Sequence, residues 1–158
     1  MGKQSYSKLW AQAVKTGIIK SNLVPMVAGL MLALYTYELS FIDNIWNIVL
    51  ALAGTAAVIA AAGSFNNVYD RDIDAVMLRT KIRPTVTGAI SVKTILIVAF
   101  VLLMIGIVLL YFTTPLAALL GFLGVFFYVV PYTMWSKRRT IWNTEIGSIS
   151  GAMPPLIG

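Results

Sequence analysis

A chain of 158 residues that is 59% hydrophobic and only 11% charged, with a mean hydropathy of +0.85, lies outside the range of soluble domains, where charged residues make up about a quarter of the total. It reads as a membrane protein. The absence of Cys and His excludes disulfides, ordinary zinc sites, histidine acid/base chemistry and a haem iron held by His or Cys of this chain, and the formal net charge of +6 is spread between apolar runs, so no nucleic acid partner is expected.

In chain order, five apolar stretches of about spanning length predict transmembrane helices over roughly 16–37, 45–65, 94–112, 115–135 and 141–158. The expected fold class is therefore all-α: a polytopic transmembrane helix bundle forming a single membrane domain over 1–158, with the lipid bilayer as its surroundings. The twelve cations fall into three groups. Lys3, Lys8, Lys15 and Lys20 lie at the start; Arg71, Arg79, Lys81, Arg83 and Lys93 follow the second span; Lys137, Arg138 and Arg139 follow the fourth. The connections after the first and third spans hold no cation, so the positive-inside rule puts the N-terminus in the cytoplasm; the membrane expected is a bacterial plasma membrane. No cleavable signal peptide is expected, because the first apolar run is of spanning length. Gly147 with Gly151, and Gly54 with Ala57 and Ala61, read as small-residue surfaces for close helix packing.

The stretch FNNVYDRDIDAVMLRTKIRP, residues 65–84, collects three of the four aspartates and four of the twelve cations. If the second helix continues through it, Asn66, Asp70 and Asp74 fall at i, i+4 and i+8, drifting about 80° round the axis over a rise of about 12 Å. One face then presents an amide and two carboxylates, while Asp72 points elsewhere. Carboxylates one turn apart repel each other, and a divalent cation offsets that repulsion. Mg²⁺, with Mn²⁺ as a substitute, suits a few carboxylate oxygens combined with substrate phosphate oxygens. Arg79, Lys81 and Arg83 follow, placed to grip the same phosphates. The pattern reads as a diphosphate site. The plainer reading is a charged loop pairing Asp with Arg in water for little energy; the four-residue spacing, the leading Asn and the trailing cations weigh against it.

Asn66-Asn67-x-x-Asp70-x-x-x-Asp74 resembles the first aspartate-rich motif of the UbiA-type intramembrane prenyltransferases. The longer string, with Met77, Arg79, Thr80, Arg83 and Pro84, is similar to one branch, the protohaem IX farnesyltransferases (haem O synthases). PYTMWSKRRTIWN and GAMPPLIG, after Pro131, are similar to further signatures of that branch. The resemblance implies farnesyl diphosphate and haem b as substrates, Mg²⁺ as the metal, haem O and diphosphate as products, and a haem A synthase as a partner for product hand-over. Carried over by position, it implies Asn66, Asp70 and Asp74 as Mg²⁺-diphosphate ligands and Arg79, Lys81 and Arg83 as supporting phosphate contacts. It implies Lys137, Arg138 and Arg139 as a further phosphate or propionate clamp, with Tyr132 donating a hydrogen bond.

Two departures qualify that expectation. Relatives begin the first span with Lys-Pro-Arg where this chain reads Lys15-Thr16-Gly17, leaving Lys15 and Lys20 as alternatives for a first-span phosphate contact. The family has about nine spans and a second aspartate-rich motif, absent from these 158 residues, so the chain is expected to be the N-terminal half of such an enzyme and inactive alone. Three rival readings remain: prenyl transfer to an aromatic quinone precursor, a cation transporter, and a non-enzymatic assembly subunit. The first would share the aspartate helix, the second would need acids near the bilayer midplane, and the third would tolerate Asp70→Asn.

Overall fold

The structure, a computed structural model, describes residues 5–158 except for the side chain of Arg138, so Lys3 and that side chain lie outside the described part. Among the described residues every regular element is helical. The chain opens with α1, Tyr6–Ala13. This short amphipathic helix turns Leu9, Trp10 and Ala13 onto Val68, Ile90 and Ile95, a spacing of 3.6-residue type too brief to stand out beside the spanning runs. Lys15 then adopts a left-handed backbone (φ 55°, ψ 57°), and α2, Thr16–Thr36, begins at the next residue. A non-glycine residue in that region costs on the order of 1 kcal/mol or more, so the corner must be held by tertiary contacts.

α3, Ile45–Tyr69, extends past the predicted end at 65 and carries the motif out with it. Asp70 interrupts the helix (φ −85°, ψ 5°), and α4, Arg71–Val76, resumes it. The hydrogen-bond ladder nevertheless crosses the break: Asp70 N–H donates to Asn66 O at 2.9 Å and Asp74 N–H to Asp70 O at 2.8 Å. α5, Pro84–Thr87, is a single turn begun by proline and closed by Gly88 in the left-handed region. α6, Val92–Thr113, starts at Ser91, whose hydroxyl accepts from Thr94 N–H at 3.1 Å. Thr114 ends α6 and caps α7, Pro115–Phe127, accepting from Ala117 N–H at 3.0 Å, with Pro115 in the first turn where its missing N–H costs nothing.

Beyond Phe127 the helix widens into a π-helical segment, Tyr128–Ser136, which contains Pro131. One turn, α8, Lys137–Arg139, and then α9, Asn143–Ile157, complete the chain. Among the described residues four helices have the length and hydropathy to cross a membrane: Thr16–Thr36, Ile45–Tyr69, Val92–Thr113 and Pro115–Ser136. The protein is an integral membrane protein. The stretch predicted as a fifth span, 141–158, holds α9, Asn143–Ile157, which continues as far as the residue before Gly158.

α3 is the central helix and packs most extensively on α6. Apolar area gives little drive inside lipid, so close fit supplies the attraction. The fit rests on two glycines: a methyl group on Gly106 would stand 2.6 Å from Val58 Cγ2 and 2.9 Å from Gly54 O, and one on Gly54 would stand 2.8 Å from Leu110 Cγ. Of the other predicted pair, Gly147 packs on the Tyr132 ring, whereas a methyl group on Gly151 would meet nothing within 4 Å among the described residues.

Candidate functional site

The site forms where α3 ends. Asn66, Asp70 and Asp74 are all buried, and three cations from three separate segments meet them. From the α1–α2 corner, Lys15 Nζ donates to Asn66 Oδ1. From the end of the π-helical segment, Lys137 Nζ pairs with Asp70 Oδ2. From the turn before α5, Arg83 Nη1 pairs with Asp74 Oδ2 at 2.5 Å. The Asn66 amide also donates to Asp70 Oδ2 at 2.9 Å and to Thr133 Oγ1 at 3.0 Å, and Thr133 in turn donates to Tyr128 O at 2.7 Å.

Asn67, buried on the neighbouring face, locks the surround. Its Nδ2 donates to Gln12 O at 3.0 Å and Ala13 O at 2.7 Å, the last carbonyls of α1, and its Oδ1 accepts from Arg83 Nη1 at 3.3 Å. One amide thus fixes the corner that carries Lys15 and the guanidinium that reaches Asp74. Burial, reinforced by the charges of Arg83 and Lys137, pulls the Lys15 ammonium down to about 8, with Asp70 and Asp74 opposing the shift.

Two carboxylates face three cations, so the cluster carries an excess of positive charge and favours an anion. Asp70 Oδ1 is buried without a hydrogen-bond partner among the described residues, an acceptor of the kind that a metal or a donor on a ligand would satisfy. Among the described residues no three His, Cys, Asp or Glu side chains gather into a metal cage. Asp70, Asp74 and the Asn66 amide fit a divalent ion that takes most of its remaining ligands from water and substrate phosphate. Behind the cluster, toward the bundle interior, lies an apolar cavity of about 190 Å³ walled by Ile18, Val58, Gly63, Gly124, Tyr128 and Met153 among others. Gly63 lies three residues, about one turn, before Asn66, so cavity and charged cluster follow one another along α3.

Of the remaining expected residues, those whose side chains are described do not reach the acids. Arg79 and Lys81 are exposed, and neither side chain makes an ion pair or hydrogen bond among the described residues; the turn through residues 77–83 lets only Arg83 fold back. Lys20, on the exposed side of α2, stands outside the cluster, while Lys15 stands within it. Arg139 is exposed, and the Arg138 side chain lies outside the described residues. Tyr132 is half-buried, its ring 5.4 Å from that of Tyr128 and against Gly147, directed at packing and not at an acid. Thr133 and Asn67 were not among the expected site residues. Thr133 carries no signal in sequence, because only the π-helical register turns it toward Asn66; Asn67 stands in the motif and was legible there.

The UbiA prenyltransferase family matches residues 22–158. The chain is 64% identical over 157 residues to protoheme IX farnesyltransferase 2 of Lysinibacillus sphaericus, covering 99% of this chain and 50% of that protein. It is 64% identical over 151 residues to protoheme IX farnesyltransferase 1 of Bacillus cytotoxicus and 58% identical over 156 residues to protoheme IX farnesyltransferase of Shouchella clausii, covering 96% and 99% of this chain and half of each relative. The chain spans about half the length of the curated relatives it matches. No solved structure matches it significantly. A match of this extent, over a helical bundle with a buried Asn-Asp-Asp face at the end of its central span, means that the chain belongs to the UbiA prenyltransferase family.

Proposed function

We propose that this chain forms the diphosphate-binding part of an enzyme that transfers a farnesyl group from farnesyl diphosphate to a vinyl group of protohaem IX, giving haem O and diphosphate. The observation that carries the reading is the buried Asn66, Asp70 and Asp74 cluster, ringed by Lys15, Arg83 and Lys137 and followed along α3 by an apolar cavity. The names of the relatives support the choice of haem as acceptor.

Asn66, Asp70 and Asp74 would hold a divalent ion, Mg²⁺ in this reading, which supplies charge compensation to the diphosphate. Lys15, Arg83 and Lys137 orient the phosphate oxygens and stabilise the negative charge that grows on them as the allylic C–O bond breaks and its electron pair leaves with the diphosphate. The apolar wall from Ile18 to Met153 takes the prenyl chain and limits access of water to the allylic cation. That cation adds to the vinyl group; water then supplies the hydroxyl to the substituted side chain and loses a proton to solvent. The cation excess on the first cluster suits a partner surface of acids, so that substrate lies between the two.

The proposed setting is a bacterial plasma membrane with the N-terminus in the cytoplasm. Lys15, Arg83 and Lys137 lie at the same end of the bundle, as the cation distribution requires. A haem A synthase is the proposed recipient of the product. Transfer to an aromatic quinone precursor is the second reading, favoured only by the acidic motif that both reactions would use.

The test supplies farnesyl diphosphate and Mg²⁺ to membranes bearing the full-length protein, with haem b, a hydroxybenzoate or a dihydroxynaphthoate in separate incubations, and reads products by mass spectrometry. The reading expects haem alone to gain a farnesyl group and a hydroxyl. A prenylated aromatic with unmodified haem would replace it with the second reading.

A further inference from the structure

The apolar cavity behind the acidic cluster has a mouth and a floor. On α3 it is walled by Thr55, Val58, Ile59, Ala62 and Gly63, spaced so that they share the helix face that Asn66 continues toward the aspartates. Thr55 is the member of that face farthest from Asn66. Beside it the bundle closes on Leu110, which is fully buried: its Cγ would stand 2.8 Å from a methyl group on Gly54, and its Cδ1 2.5 Å from one on Gly121. Thr55 and Leu110 thus make the floor of a cavity whose mouth is the charged cluster.

Thr55 also has a hydrogen bond left to make. It is fully buried, and its Oγ1 has no partner among the described residues, although a helical Thr can donate to the carbonyl four residues back. Ser64, on the same helix, does so to Ala60 O at 2.8 Å. Two other polar wall residues are satisfied in the same local way, Asn22 donating to Ile18 O at 2.8 Å and Ser150 to Gly147 O at 2.8 Å. A buried hydroxyl left unmatched in an apolar cavity points to an occupant that supplies a weak acceptor there. Depth decides which one. From Asn66 to Thr55 is eleven residues of α3, a rise of about 16 Å. An extended chain gains about 1.2 Å per bond, so the main chain of a geranyl group spans about 8 Å, of a farnesyl group about 13 Å and of a geranylgeranyl group about 18 Å.

We propose that Thr55 sets the length of prenyl chain that the site accepts: three isoprene units reach it, and a fourth does not fit above it. The terminal C=C of a farnesyl group lies at the Thr55 hydroxyl, which donates to its π face, and Leu110 blocks further chain. Burial of added hydrocarbon ordinarily strengthens binding. Affinity should therefore rise from geranyl to farnesyl diphosphate and fall again at geranylgeranyl diphosphate. This inference rests on the diphosphate reading of Asn66, Asp70 and Asp74, and it is independent of the acceptor that receives the prenyl group.

The experiment measures Mg²⁺-dependent binding of geranyl, farnesyl and geranylgeranyl diphosphates to the full-length protein in nanodiscs, with thermal unfolding to verify that each variant is folded. The wild type is expected to bind farnesyl diphosphate best and geranylgeranyl diphosphate roughly tenfold more weakly, the scale of a buried polar group left unmatched. Thr55→Ala lowers the floor and should bring geranylgeranyl diphosphate up to the farnesyl affinity or beyond it. Thr55→Val keeps the shape without the hydroxyl, so the order should hold while farnesyl binding weakens by about twofold. Ile59→Ala, one turn nearer the mouth on the same face, widens the cavity without deepening it and should weaken all three alike. Equal binding of farnesyl and geranylgeranyl diphosphates by the wild type, a folded Thr55→Ala protein that keeps the wild-type order, or the same gain of geranylgeranyl affinity in Ile59→Ala would each overturn the inference and leave the diphosphate reading standing. A wild type that binds none of the three would overturn both.

Discussion

Lys137 pairs with Asp70, a residue 67 positions earlier in the chain, and the pairing depends on the π-helical segment that precedes it. In a regular α-helix from Pro115 to Arg139, Pro131 would remove one N–H and collide with the carbonyl four residues back. The wider π turns absorb that conflict, and such segments are frequent at functional sites. The same segment turns Thr133 to Asn66, so a local accommodation of proline aligns two groups with the acidic face.

Thr133→Val should therefore loosen the site without emptying it. The Asn66 amide would keep Asp70 but lose one of its two acceptors, at a cost of about 1 kcal/mol. A lowered thermal midpoint in detergent, restored by Thr133→Ser, is the expected result. Equal midpoints for Val and wild type would remove Thr133 from the network.

Lys15 and Lys20 differ by about one turn in sequence, yet only Lys15 reaches Asn66, because its left-handed backbone folds the α1–α2 corner over the end of α3. Lys15→Gln should raise KM for the diphosphate substrate roughly tenfold, the scale of one charge-assisted hydrogen bond, while Lys20→Gln should leave it near wild type. Steady-state kinetics on the full-length enzyme separates the two; the reverse order would return the first-span contact to Lys20.

The meeting of α3 and α6 makes a prediction about stability alone. Gly106→Ala puts a methyl group into Val58 and the Gly54 carbonyl and should destabilise the bundle by about 1–3 kcal/mol, the usual cost of overpacking. Gly151→Ala, facing open space, should leave thermal unfolding in detergent almost unchanged. Comparable midpoints for the two variants would contradict the packing assigned to Gly106.

Much of this was legible in the sequence because it follows from periodicity. Spanning helices announce themselves by length and apolarity, and the 3.6-residue repeat alone sets Asn66, Asp70 and Asp74 on one face. Residues whose placement depends on chain reversals were not legible. Arg79, Lys81 and Arg83 are near one another in sequence, but the turn folds only Arg83 back onto Asp74. Lys15 is drawn in by a backbone conformation that non-glycine residues rarely adopt, and Thr133 by a helix register that no propensity scale encodes. α1 was hidden because its eight residues bear an apolar face on only two turns.

The central claim is that Asp70 and Asp74, backed by Lys15, Arg83 and Lys137, hold a prenyl diphosphate through a divalent ion. It is tested most directly by the Mg²⁺-dependent part of farnesyl diphosphate binding to full-length wild type and Asp70→Asn in nanodiscs, with thermal unfolding of both as the control. The account predicts saturable wild-type binding that EDTA weakens, and a folded Asp70→Asn protein whose Mg²⁺-dependent affinity is lower by roughly 100-fold, the scale on which a charged group of a prearranged site acts. A folded Asp70→Asn protein that binds farnesyl diphosphate with wild-type affinity and the same Mg²⁺ dependence would contradict it.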